Sequence, residues 1–385
     1  MVTAAPPLVL RRAPRVRHLG PNWYAAVMGT AAVGSAGAVL PRHTGLLRTG
    51  CATVWALSLA LLVVLLTARA LHWTYHRDQA RAHLLDPATA PFYGCLSMAL
   101  LAVGGGAMTV GRDWLGVSGA VALDAVLFVA GTVVGLAAAV AVPYLMAVRH
   151  RTEPGQASPV WLLPLVAPMV SAALGPLLVP HLPPGQPRQT LLLACFALFG
   201  LSLLATLLML PLVFARLIVA GPLPLALTPT LFLVLGPLGQ STTAVGAFAD
   251  IAPGVVAAPY DRGFVVLAVL YGVPVMGFAL LWLAFAAAHV GRARRHGMGF
   301  TMTWWGFTFP VGTCVTGAAA LARHTGLAAY DLLTVGLYGM LVAAWAAAAV
   351  GTVRGLVSGE LLAAPRTAPA APRPVTGRTT SDAVR

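Results

Sequence analysis

The chain has 385 residues, 59% of them hydrophobic and only 9% charged, with a mean hydropathy of +0.85. A soluble domain carries about 25% charged residues, so the composition excludes a soluble globular protein and indicates a polytopic membrane protein. All 24 basic residues are arginines, and the formal charge of +14 sits in loops and tails. No folded basic face is left for nucleic acid, and the arginines fit topology determination and contact with anionic lipid headgroups.

Residues 1–20 carry Arg11, Arg12, Arg15 and Arg17 after a short apolar stretch. That is not the order of regions in a signal peptide, and a cytoplasmic N-terminal tail is expected. Ten spans follow, at about 21–40, 46–70, 90–111, 115–148, 159–181, 189–219, 228–251, 261–290, 299–321 and 328–357. With the N-terminus inside, eighteen arginines fall on the inner side and six on the outer, namely Arg42, Arg48, Arg112, Arg188, Arg262 and Arg323. The excess of positive charge on one side supports an even number of spans with both termini cytoplasmic. Residues 21–357 thus form one transmembrane domain. The tail 358–385, rich in Pro, Ala, Arg and Thr, is expected to be disordered.

Odd and even spans differ in character. Spans 2 and 6 are Leu-rich, as expected of lipid-facing helices. The odd spans carry small or kinking residues at helical spacing: Gly29 and Thr30 in span 1, Gly104 in span 3, Pro168 and Ser171 in span 5, Gly239, Gln240 and Thr243 in span 7. Such stripes permit close helix packing. Their recurrence in alternate helices favours an inner ring that lines a path. Span 8 departs from the rule with Gly272, Pro274 and Gly277.

Span 9, residues 299–321, crosses without a charge. Pro310 removes one helical hydrogen bond and crowds the carbonyl four residues back, so a kink near Gly306 is expected. On a 3.6-residue period Met302, Trp305, Phe309, Gly312, Thr313 and Thr316 share one face. Beyond Phe309 that face is small or polar. The Phe309 ring either obstructs a path there or packs between helices. Phe307 lies about 200° round the helix.

Ionisable groups mark function inside membranes, and here they are nearly absent. Asp124 in span 4 is read as a satisfied polar residue or a proton site. Asp250, Asp261 and Arg262 are expected to form a solvated outer mouth. His72 and His76 stand one turn apart, with His83 nearby, a spacing compatible with a metal but also with an interfacial belt beside Trp73 and Tyr75. Cys51, Cys95, Cys195 and Cys314 lie in separate apolar segments with no ligand spacing and are read as packing residues. No catalytic pair or Walker-type loop is present, so neither an enzyme nor a metal or cofactor is expected. A path without fixed acids does not repel anions, and one without fixed cations does not hold them tightly, which favours permeation.

Four stretches carry a family resemblance: GPNWYAAVMGT (20–30), WLLPLVAPMVSAALG (161–175), LFLVLGPLGQSTTA (231–244) and TWWGFTFPVGTCVTGAAALAR (303–323). They resemble the tellurite-resistance/dicarboxylate transporter family, which includes plant slow anion channels, bacterial TehA, the yeast malate permease and fungal sulfite exporters. The similarity runs over nearly all of 20–357. It implies an all-α polytopic fold of ten helices arranged as five hairpins in quasi-fivefold order around a pore, often trimeric. It also implies a phenylalanine on the ninth helix that blocks the pore, a role carried to Phe309 with Phe307 as second choice. The lining expected is Gly29, Thr30, Gly104, Pro168, Ser171, Gly239, Gln240, Thr243, Trp305, Gly312 and Thr313. The activity implied is passage of a small anion or organic acid across the plasma membrane. The alternative is a proton-coupled carrier of a C4-dicarboxylate such as malate, or of sulfite. Arg-rich, Lys-free composition hints at a bacterial source, and regulation through long termini like those of the plant channels is not expected.

Overall fold

The computed structural model describes residues 17–42, 44–150 and 154–362. Most of both expected tails lies outside these residues, as do Arg11, Arg12, Arg15, Arg151, Arg366, Arg373, Arg378 and Arg385. Among the described residues there is no strand. The chain is an all-α polytopic membrane protein. Among the described residues eight stretches are long and apolar enough to cross a membrane. They accommodate the ten expected spans because Ala90–Val148 holds two of them, and because span 1, made by Pro21–Trp23 and α1 (Tyr24–Gly37), is only 17 residues long.

The two crossings in Ala90–Val148 are α4 (Tyr93–Gly106), closed by a π-turn over Ala107–Gly111, and α5 (Arg112–Val148). The backbone turns within the start of α5, at Gly116, with φ 71° and ψ 168°, a conformation that only glycine adopts without strain. The two helices then run back along each other. The Ser97 hydroxyl donates to Gly131 O at 2.6 Å, and Gly104 lies against Asp124 and Leu127.

The other helices are α2 (Gly45–Tyr75), α3 (Arg77–Leu85), α6 (Leu163–Leu174), α7 (Gln186–Ala220), α8 (Leu235–Ile251), α9 (Tyr260–Arg295), α10 (Phe309–Thr325) and α11 (Ala328–Val357). Of the eleven helices among the described residues, five close a ring in which each touches the next: α1, α4, α6, α8, α10 and back to α1. Around it α2, α5, α7, α9 and α11 each pack on the inner helix they follow and on the next one. The result is five hairpins in quasi-fivefold order.

The sequence encodes this sorting. Inner helices are small or apolar on every side, and a helix apolar all round must be enclosed. In α1 all residues but one are buried. Of the most apolar window of the fifth, seventh and ninth spans, 83–89% is buried, against 22–28% for the even spans with windows of their own. The outer helices expose Leu, Val and Phe, as a hydrocarbon solvent requires. Each inner helix is preceded, on the same membrane face, by a 3-10 segment: Pro21–Trp23, Ala90–Phe92, Pro159–Leu162, Leu225–Val234 and Met302–Phe307. That face carries Arg17, Arg69, Arg77, Arg81, Arg149, Arg216 and Arg354 and is called here the arginine-rich face.

Candidate functional site: the axis of the inner ring

Pro310 stands in the first turn of α10, where a missing N–H costs nothing. The chain before it cannot continue as α-helix, and the bend expected near Gly306 lies at Thr308 (φ −93°, ψ −78°). The Thr308 hydroxyl donates to Trp305 O at 2.7 Å and its carbonyl accepts from Gly312 N at 2.9 Å. Phe309 is thereby the first residue of α10, buried at 6% exposure.

Two cavities lie on the axis, each bordered by all five inner spans. The wider, about 60 Å³, is edged by Ser35 of α1, Ala102 of α4, Leu174 of α6, Gln240 and Thr243 of α8, and Gly312, Thr313 and Thr316 of α10. The narrower, about 10 Å³, is edged by Met28, Met98, Val166, Leu233, Gly236 and Pro310. Phe309 borders both, and among the described residues no other does. The first has room for several waters. The second is at or below the roughly 10–15 Å³ that one water needs, and its walls offer no polar side chain.

The wider cavity is uncharged and mostly apolar, with Ala32 and Ala36 also in its wall and only a few polar atoms reaching its surface. Thr243 Oγ1 lies 2.7 Å from Thr316 Oγ1 and within reach of Gly239 O (3.0 Å) and Thr313 O (3.2 Å). The Thr313 hydroxyl donates to Pro310 O at 2.7 Å. Thr316 Oγ1 in turn lies 3.0 Å from Thr313 O, so the two hydroxyl protons face more acceptors than they can serve. Hydroxyls and one amide attract an anion weakly and release it. At the face away from the arginine-rich side, Arg323 pairs with Asp250 at 2.9 Å, and His324 approaches the same carboxylate at 3.2 Å. Arg48 grips Asp113 with two bonds of 2.5 and 2.7 Å. In the first turn of α9, the Asp261 carboxylate accepts from the Arg262 backbone N–H at 2.7 Å.

Of the residues expected along the path, Gln240, Thr243, Gly312 and Thr313 meet at the wider cavity with Phe309. The others turn to neighbouring helices. Gly29 lets α1 approach Thr308 and Trp305. Thr30 Oγ1 accepts from Trp345 Nε1 of α11 at 3.1 Å. Gly104 faces Asp124, Ser171 accepts from Thr132 of α5 at 2.9 Å, and Pro168 is buried within α6 away from both cavities. Gly239 brings α8 so close to α10 that a Cβ there would stand 2.5 Å from Cys314 N. Trp305 Nε1 donates to Thr352 of α11 at 2.9 Å. Phe307 packs edge-on against Phe232, ring centroids 4.8 Å apart, and borders neither cavity.

The lining of the narrow cavity was not anticipated, yet the sequence holds a signal for it. Met28, Met98, Val166 and Gly236 each lie seven residues after a proline (Pro21, Pro91, Pro159 and Pro229), and Phe309 lies seven after Met302, where its 3-10 segment starts. These five residues are spaced by 70, 68, 70 and 73 positions and all border the same cavity. They are equivalent positions of a fivefold internal repeat, and Phe309 is the bulkiest of them. Among the described residues no group of three His, Cys, Asp or Glu could hold a metal ion. His72 instead accepts from Arg69 through Nδ1 at 3.0 Å and donates to Arg17 O at 3.1 Å.

A family model described as voltage-dependent anion channel matches residues 18–353. An uncharacterized transporter of Methanocaldococcus jannaschii is 24% identical over 349 residues, covering 90% of this chain and 96% of that protein. A sulfite efflux pump of Trichophyton rubrum is 26% identical over 333 residues, covering 83% and 85%. That of Arthroderma otae is 25% identical over 345 residues, covering 86% and 88%.

Proposed function

The chain belongs to the voltage-dependent anion channel family, and on that premise we propose that it passes small anions along the axis of its inner ring, with the Phe309 ring as the obstruction. The observation that carries this reading is that, among the described residues, Phe309 alone borders both axial cavities, one with Thr and Gln side chains at its edge and a smaller one with no polar side chain in its wall. An anion loses most of its hydration in an apolar constriction, at a cost of many kcal/mol. Rotation of one ring therefore decides between a closed and an open path. The arginine-rich face is taken as cytoplasmic on the distribution of charge, in the plasma membrane. The test is anion current or flux of purified protein in planar bilayers and liposomes, wild type against Phe309→Ala, with chloride, nitrate, sulfite and malate compared. An open path created by the substitution supports the reading, and unchanged conductance in a well-folded Phe309→Ala protein rejects it.

A second reading, a sulfite or dicarboxylate carrier driven by protons, is favoured by the sulfite efflux pumps among the relatives. It is also favoured by Asp124, buried in α5 against Gly104 with Oδ2 lacking a hydrogen-bond partner. It requires flux that follows a pH gradient and is abolished in Asp124→Asn.

A further inference from the structure

At the arginine-rich face, Arg69 near the end of α2 is buried to 6% exposure. Its guanidinium donates to Leu19 O at 2.7 Å, to His72 Nδ1 at 3.0 Å and to the Tyr93 hydroxyl at 2.7 Å. All three partners are neutral. His72 is necessarily so in this arrangement, because the guanidinium can only donate and Nδ1 must accept. Among the described residues no carboxylate pairs with Arg69: Asp78 pairs with Arg17 at 3.2 Å, and Asp86 accepts from Ala88 N and Thr89. The charge is felt nearby, since His83 is pushed down to about 4, by burial first and then by Arg69 and His72.

A buried cation without an anion is costly, and such groups in proteins are paired or bind a charged ligand. Beside Arg69 lies a cavity of about 220 Å³ walled by Tyr24, Leu66, Trp73, Tyr93 and Leu96. Its rim belongs to the bilayer-facing side of α2, where Leu66 and Trp73 are 37% and 36% exposed next to Leu71 at 46%. The floor thus offers a guanidinium and a phenol. The mouth offers an aliphatic wall and an indole at the depth where tryptophan meets headgroups.

We propose that this cavity between α1, α2 and α4 is a binding site for the phosphate of one anionic phospholipid. The phosphodiester oxygens take the free donors of Arg69, and an acyl chain lies along Leu66 and Leu96. The charge needs an anion, and the apolar mouth open to the bilayer selects a lipid over a free phosphate ion. The site lies outside the inner ring and is independent of the permeation path.

The test uses full-length protein in detergent, with native mass spectrometry and thermal melting in the presence of phosphatidylglycerol, phosphatidylcholine or inorganic phosphate. Wild type is expected to retain one phosphatidylglycerol and to melt higher with it, at least tenfold more tightly than with phosphatidylcholine. Arg69→Gln removes the charge, and Leu96→Trp fills the cavity while leaving Arg69 in place. Both are expected to lose the bound phosphatidylglycerol, whereas Arg216→Gln, on the same face in another hairpin, keeps it. If Arg69→Gln does not fold, Leu96→Trp decides. Equal binding of the two lipids by wild type overturns the proposal. So does a folded Leu96→Trp protein that keeps phosphatidylglycerol, or inorganic phosphate stabilising the protein where phosphatidylglycerol does not.

Discussion

Thr243 of α8 and Thr316 of α10 place their hydroxyls 2.7 Å apart across the seam where these helices lie closest, and both border the wider axial cavity. The seam is built by Gly239, which has no Cβ to separate the two backbones. A close packing contact and the few polar groups at the cavity edge thus belong to the same short stretches of α8 and α10.

Replacing Phe309 by Ala should raise anion flux about tenfold or more, equivalent to roughly 1.4 kcal/mol or more off the barrier. Val234→Ala, a buried position that borders neither axial cavity, should leave flux within about twofold of wild type once expression is matched. Bilayer recording of both proteins makes the comparison.

Thr243→Val and Thr316→Val should each reduce anion flux by about fivefold, the cost of losing one hydrogen-bond donor worth about 1 kcal/mol to a passing anion. The double substitution should cost less than the sum, because the two hydroxyls share one network. Flux in the Phe309→Ala background gives the readout.

Gly239→Ala should lower the melting temperature and yield, since its methyl would stand 2.5 Å from Cys314 N, a backbone atom that cannot rotate away. A cost of about 1–3 kcal/mol is expected from such overpacking. Gly236→Ala, only one turn earlier, meets nothing nearer than Val166 at 4.0 Å and should fold normally. Thermal melting of the pair in detergent tests the difference.

Stability should fall on acidification through the window from about 6.5 to about 4. His83 in α3 is held neutral down to about 4 by burial, with Arg69 and His72 adding to the effect. In the unfolded chain it protonates near 6.5. Between those values the unfolded state binds more protons, so stability is present above the window and is lost as pH falls through it. Melting temperature against pH should flatten in His83→Gln relative to wild type.

The hairpins and the inner and outer rings were legible in the sequence because hydrocarbon and protein interiors select different side chains. Leu-rich α2 and α7 could only face lipid, and Gly- and Thr-bearing α8 and α10 could only be enclosed. Which neighbour each small residue meets was not legible. Gly104 and Ser171 carry the same signal as Gly312 but face α5, because a glycine records a close approach without recording its partner. The face drawn through Met302, Trp305 and Phe309 assumed one continuous α-helix. The 3-10 turn and the break at Thr308 reset the phase, so Trp305 binds α11 while Phe309, Gly312, Thr313 and Thr316 keep to the axis. Asp124 could be located but not oriented, since no periodicity marks one carboxylate in an apolar helix.

The six-residue 3-10 segment Met302–Phe307 carries a mechanical ratio. A residue in a 3-10 helix advances about 2.0 Å and 120°, against about 1.5 Å and 100° in an α-helix. Rewinding all six residues into α-helix would draw α10 inward by about 3 Å and rotate its first residue by about 120° relative to the membrane face. That first residue is Phe309. The winding of this segment therefore sets both the height and the azimuth of the ring, and the Trp305–Thr352 bond and the Gly239 seam hold that setting against α11 and α8.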